Sequence, residues 1–238
     1  MTVSTNLAAT ITAKHVIAMT KLGMLATGRF MGIAAAGMLS GNISEAKQLL
    51  DPTHVLKDPE KFVETYHRLC AVQGMASVVF AYSIVEASFC DVLSIIFEHD
   101  PTSLDSILAG KQVSLADVSR VGLVEVKKEA FAKYLSEFEG MGFSIKKKAL
   151  TLLSILKPAT TTDVIKGFTF QVDELDTISE RRHNFVHHAD LSHLGNVDEQ
   201  VEPDVEYLGK TIDFFFELLM RRVCPSSGSS TGSGPAVP

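Results

Sequence analysis

Apolar positions along this chain recur mostly at steps of three and four, and strand-like alternation is hard to find. That spacing predicts an all-α fold with helices at about 6–28, 30–50, 59–98, 102–109, 120–139, 144–157, 171–191 and 204–222. Several starts are punctuated. Asn42 precedes Glu45 by three residues, Asp58-Pro59 and Asp100-Pro101 place a proline in a first turn, and Ser114-Leu-Ala-Asp117 has the form of a capping box. The stretch Ala76 to Phe97, "ASVVFAYSIVEASFCDVLSIIF", is apolar almost all the way round, as a helix enclosed by other helices must be. Within it Glu86 is out of place, because a carboxylate there needs a cation, hydrogen-bond donors or a proton. Phe214-Phe215-Phe216 continues into Leu218 and Leu219, so it reads as core or dimer contact rather than a base-stacking platform.

At 238 residues and 46% hydrophobic content, the chain can bury one substantial core. Its formal charge of -6 excludes a surface coated for non-specific nucleic-acid wrapping, so any such contact must be local. Three widely spaced cysteines, Cys70, Cys90 and Cys224, imply neither a disulfide framework nor a zinc knuckle. The start lacks the order of a secretory signal, and a cytoplasmic location is expected. Val16 to Leu39 is long, apolar and carries Gly28-x-x-x-Gly32, but Lys21 and Arg29 interrupt it. An arginine at mid-membrane costs about 2.5–3.5 kcal/mol on insertion scales, so the expectation is packing on the body and no membrane. The organisation that follows is an N-terminal helical segment at 1–56, a helical domain at 57–224 and a disordered Pro/Gly/Ser-rich tail at 225–238.

The most unusual chemistry lies in "ERRHNFVHHADL", residues 180–191. On a helical wheel Leu175, Ile178, Phe185, Val186 and Ala189 share one face, and Arg182 falls in the middle of it. Arg181, Asn184 and His188 share a second face; Glu180, His183, His187 and Asp190 share a third. The plain structural account pairs Arg182 with Glu86 inside the bundle. It leaves the three histidines unexplained. Cleavage of RNA without a metal needs a base for the 2′-hydroxyl, a cation for the charged transition state and an acid for the leaving oxygen. Imidazole and guanidinium meet those needs.

In "RHNFVH", residues 182–187, an arginine is followed at helical spacing by a histidine, and this resembles the signature of the HEPN superfamily, the higher eukaryotes and prokaryotes nucleotide-binding domains. The long apolar helix bearing "YSIVEASFCDVL" before it and an amphipathic helix after it agree with that layout over about 57–222. The resemblance implies an antiparallel helical bundle, homodimeric through the motif helix; the N-terminal helices are extra to that bundle, and residues 1–51 fall outside the match. It further implies a metal-independent endoribonuclease of toxin–antitoxin or antiviral defence systems, with RNA as substrate, an antitoxin or other regulatory protein as partner, and no cofactor. Carried over by position, Arg182 and His187 are the catalytic pair. His183, Asn184 and Glu86 support them, and Arg181 and His188 satisfy the same loose spacing, which leaves the register open. The superfamily also has inactive and purely binding members, so a non-catalytic helical interaction module with an Arg182–Glu86 pair is the alternative.

Two weaker constellations compete. Glu64-x-x-His67 and Glu180-x-x-His183 resemble the pairs of di-iron bundles, but bridging glutamates are not evident on the other helices. His183, His187 and Asp190 have spacings that could hold a zinc ion, though a polar helix face offers such spacings often. Lys127-Lys128 and Lys146-Lys147-Lys148 read as solvated faces, with RNA-backbone contact as the sharper reading. His15, His54, His67 and His99 suggest no partners.

Overall fold

The computed structural model describes residues 2–28, 59–105, 115–140, 143–156, 164–188 and 197–224. Seven helices run through them: α1 (Thr2–Gly28), α2 (Pro59–His99), α3 (Leu115–Val121), α4 (Leu123–Glu139), α5 (Ile145–Leu156), α6 (Val172–His188) and α7 (Val197–Val223). A 3-10 turn, Pro101–Leu104, follows α2. The fold is all-α, as the periodicity predicts. The helix expected at 30–50 and the tail from 225 lie outside the described residues.

Helix α2 is the axis, packed by α1, α4, α5, α6 and α7. Val78, Ala81, Val85, Phe89, Val92 and Leu93 are fully enclosed. Each large apolar side chain buried this way contributes on the order of 1.5–3 kcal/mol. By length and composition Ala71–His99 could cross a membrane, yet half of its most apolar window is buried inside the bundle. Phe214, Phe215 and Phe216 are all core residues; Phe215 meets Phe89 edge-on at 4.7 Å, and Phe216 stacks with His15 at 5.3 Å.

Helix α1 belongs to the same core through Ile11, Ala18 and Leu22. His15 and Phe216 meet at one level while Met19 and Leu22 pack over Gly209, so α1 runs antiparallel to α7. His15 therefore has a partner: its Nε2 hydrogen-bonds Asp213 Oδ1 at 2.6 Å. Lys14 pairs with Asp91 at 2.9 Å.

Two helix boundaries and one hairpin depart from the expected pattern. The helix expected at 120–139 begins earlier and breaks at Gly122, where φ is +86°, a conformation that L side chains resist. Helix α7 begins at Val197 and continues through Pro203, although a proline usually ends a helix. Val201 and Asp204, on either side of that proline, are both buried, and Asp204 is bonded by Arg181 of α6. Val164–Ile165 and Phe168–Thr169 form a two-stranded hairpin that the apolar alternation along the chain does not reveal. Its turn, Lys166-Gly167, has positive φ at both residues, as a type I′ turn requires.

Candidate functional site

Helix α6 is placed by its apolar stripe and by charge. Leu175 and Ile178 are fully buried, Phe185 packs against the core, and Asp173 and Glu174 sit in the first turn where the helix dipole favours them. Helix α5 starts at a capped end, with Ser144 Oγ accepting from Lys147 N at 3.2 Å. Lys146 reaches from α5 to Asp173 and Asp176 of α6, each at 3.1 Å. The two helices are thus pinned at the end of α6 remote from the histidines.

Glu86 is answered by Lys148, not by Arg182. Lys148 Nζ lies 2.9 Å from Glu86 Oε1, with side-chain exposures of 2% and 31%. The alternative Arg182–Glu86 pair is corrected accordingly, and so is the solvated reading of Lys148, while Lys147 is exposed and Lys146 partly so. Lys148 is a core residue, Lys146 is held by two aspartates, and Lys147 lies over the Phe143 ring at 4.0 Å. The signal was present: Lys148 shares a face with Ile145, Leu152 and Ile155, all buried. In the other basic pair, Lys127 bonds Asp105 and Lys128 bonds Glu125.

The two arginines differ in their surroundings. Arg181 grips Asp204 of α7 with two donors, Nε to Oδ2 at 3.0 Å and Nη2 to Oδ1. Burial raises the Asp204 carboxyl above its usual value, while Arg181 pulls it back down. Asp204 was missed because it follows Pro203, yet it shares a helical face with Val201 and Leu208. Arg182 turns toward α2, where its Cζ sits 4.9 Å from the centroid of the Tyr82 ring. Its Nε is buried and lacks a hydrogen-bond partner among the described residues. The Tyr82 hydroxyl is 2.9 Å from Ser179 Oγ, and burial raises its pKa.

The His183 and His187 rings lie 4.4 Å apart on the exposed side of α6. Asn184 is half-buried. Nothing is described of the His188 side chain, and Ala189 and Asp190 lie outside the described residues. Val186, expected on the inner face, is 48% exposed. The inner stripe turns away from it because Arg182 and Phe185 fill the approach to α2 and the core.

Arg182 and His187, five residues apart, stand about 140° apart around the helix axis. They do not converge within one chain. The arrangement offers, among the described residues, a guanidinium without an ion pair on one flank and two imidazoles on the other, a donor for phosphate and groups able to move protons. Among the described residues no three His, Cys, Asp or Glu side chains gather as a metal site. Cys90 and Cys224 are thiols, and burial pushes Cys90 up to about 11, away from a nucleophile's range. No family model, curated protein or solved structure matches this chain.

Proposed function

We propose that this chain is a metal-independent endoribonuclease of HEPN type, acting in a toxin–antitoxin or antiviral defence setting, with its site completed by a second copy. The observation that carries this reading is the state of Arg182, a guanidinium with a buried, unpartnered Nε on the helix that presents His183 and His187. A buried N–H without an acceptor is unusual, and a half-buried guanidinium with donors unspent is suited to bind a phosphate.

In this mechanism His187 takes the proton of the 2′-hydroxyl, or delivers one to the departing 5′-oxygen. The 2′-oxygen bonds to phosphorus as the bond to the 5′-oxygen breaks, leaving a 2′,3′-cyclic phosphate and a 5′-hydroxyl. Arg182 binds the phosphate through its paired donors. His183 and Asn184 orient the pair. Glu86 acts from beneath, through its bond to Lys148. Because Arg182 and His187 face apart on one helix, two copies related by a two-fold axis would bring one chain's arginine toward the other's histidine.

The test is cleavage of a mixed RNA pool with EDTA present. Wild type should yield 2′,3′-cyclic ends, and His187→Ala and Arg182→Ala should each lose on the order of 10²–10⁴-fold in rate. Variants that cut as fast as wild type would sink the proposal. A non-catalytic interaction module is the second reading, favoured by the exposed apolar Val186 on the same helix. It expects no cleavage by any form, and loss of partner binding on replacing Val186.

A further inference from the structure

We propose that Tyr82, held by Ser179, is the positioning residue for Arg182. Its ring keeps the guanidinium in place without neutralising it, so the charge stays available to a ligand phosphate. This inference rests on reading Arg182 as the phosphate-binding group.

Three carboxylates, on α2, α6 and α7, are engaged by other cations, and no ion pair joins Arg182 to a carboxylate among the described residues. Glu86 is bonded by Lys148 at 2.9 Å, Asp176 by Lys146 at 3.1 Å, and Asp204 by the two donors of Arg181. Arg182 is left with an aromatic face, its Cζ 4.9 Å from the Tyr82 centroid. An aromatic quadrupole attracts a cation yet leaves its N–H donors unspent. A carboxylate in that place would occupy the donors and compete with phosphate.

The ring is itself fixed. Tyr82 is buried, and its hydroxyl is 2.9 Å from Ser179 Oγ. Ser179 and Arg182 are three residues apart on α6 and so adjacent on its surface. One helix therefore holds the ring by its edge and rests its arginine on the ring's face. Burial keeps the phenol neutral, which preserves the hydroxyl–hydroxyl bond.

The test uses the full chain labelled with ¹⁵N-arginine, in which the Arg182 Nε–Hε resonance is identified by its loss in Arg182→Lys. Stacking on the ring face moves that proton upfield of its random-coil position. The probe is a short single-stranded oligonucleotide with 2′-deoxy sugars, which cannot be cut by 2′-hydroxyl attack. Expected are an upfield Hε in wild type and in Tyr82→Phe, its return to the random-coil position in Tyr82→Leu, and about tenfold weaker oligonucleotide binding by Tyr82→Leu, the scale of a desolvated cation–π contact. A wild-type Hε already at the random-coil position overturns the proposal whether or not any variant folds. So does a folded Tyr82→Leu protein with unchanged Hε or unchanged affinity. Failure of the ribonuclease reading appears separately, as wild-type protein that leaves RNA intact while the Hε signature is present.

Discussion

At the scale of single residues, the buried charges are decided by who reaches whom. Lys148, enclosed at 2% exposure, carries the charge that Glu86 requires. Lys148→Met should destabilise the protein by about 2–3 kcal/mol in urea unfolding, less than the ~3–5 kcal/mol of a fully buried broken pair because Glu86 keeps some solvent. Replacing Glu86 with leucine in the same protein should restore most of that loss. Asp204 gives a pH signature. Its folded-state pKa is raised by burial, so its contribution favours the folded state most when the carboxyl is protonated. That contribution is lost as pH rises from below the ordinary aspartate value through the raised one. Thermal melts across the acid range should show this component in wild type, and Asp204→Asn should lack it. The candidate site was legible at this scale in its residue types, since Arg182, His183 and His187 are apparent from the sequence. The partners Lys148, Asp204 and Tyr82 were not, because each lies far along the chain from the group it serves.

At the scale of elements, the turns follow rules that short segments obscure. The hairpin at Val164–Thr169 has strands of two residues, too short for alternation to register. Its signal lay instead in Lys166-Gly167, where φ is +51° and +80°. A Cβ on Gly167 would meet nothing within 4 Å, so the cost of Gly167→Ala is purely conformational, about 1 kcal/mol. Lys166→Asn should shift stability the other way, since asparagine tolerates left-handed backbone. Chemical denaturation of the two variants distinguishes these directions. Helix α7 teaches a related lesson. Pro203 argued for a start at 204, but the helix begins a full turn and more before it, with Val201 packed in the core. Tertiary burial outweighed one missing hydrogen bond.

For the whole molecule, the proposed composite site makes an assembly prediction. Val186 is 48% exposed, so Val186→Glu should leave the melting temperature nearly unchanged. It should nevertheless give a monomer by sedimentation and abolish cleavage. Mixing Arg182→Ala with His187→Ala protein should restore about a quarter of wild-type activity, because half of the exchanged dimers hold one intact arginine–histidine site of two. Absence of any recovery after subunit exchange would exclude a site shared between copies. Helix α1 is bound into the same core by Ile11, Ala18 and Leu22. Deleting it should therefore expose α2 and α7 and produce aggregation in size-exclusion runs, rather than a shorter stable domain.

The sequence by itself determined the fold class, the central helix, the burial of the phenylalanine triplet and the helix that carries the arginines and histidines. These follow from local periodicity, which every residue reports through its near neighbours. Only the tertiary structure decided which cation serves which carboxylate. Glu86 was expected to take Arg182, and the relative placement of α2, α5, α6 and α7 assigned Glu86, Asp176 and Asp204 to Lys148, Lys146 and Arg181 instead. Charges pair by distance in space, and that distance is set by packing of the apolar faces, which no local pattern encodes.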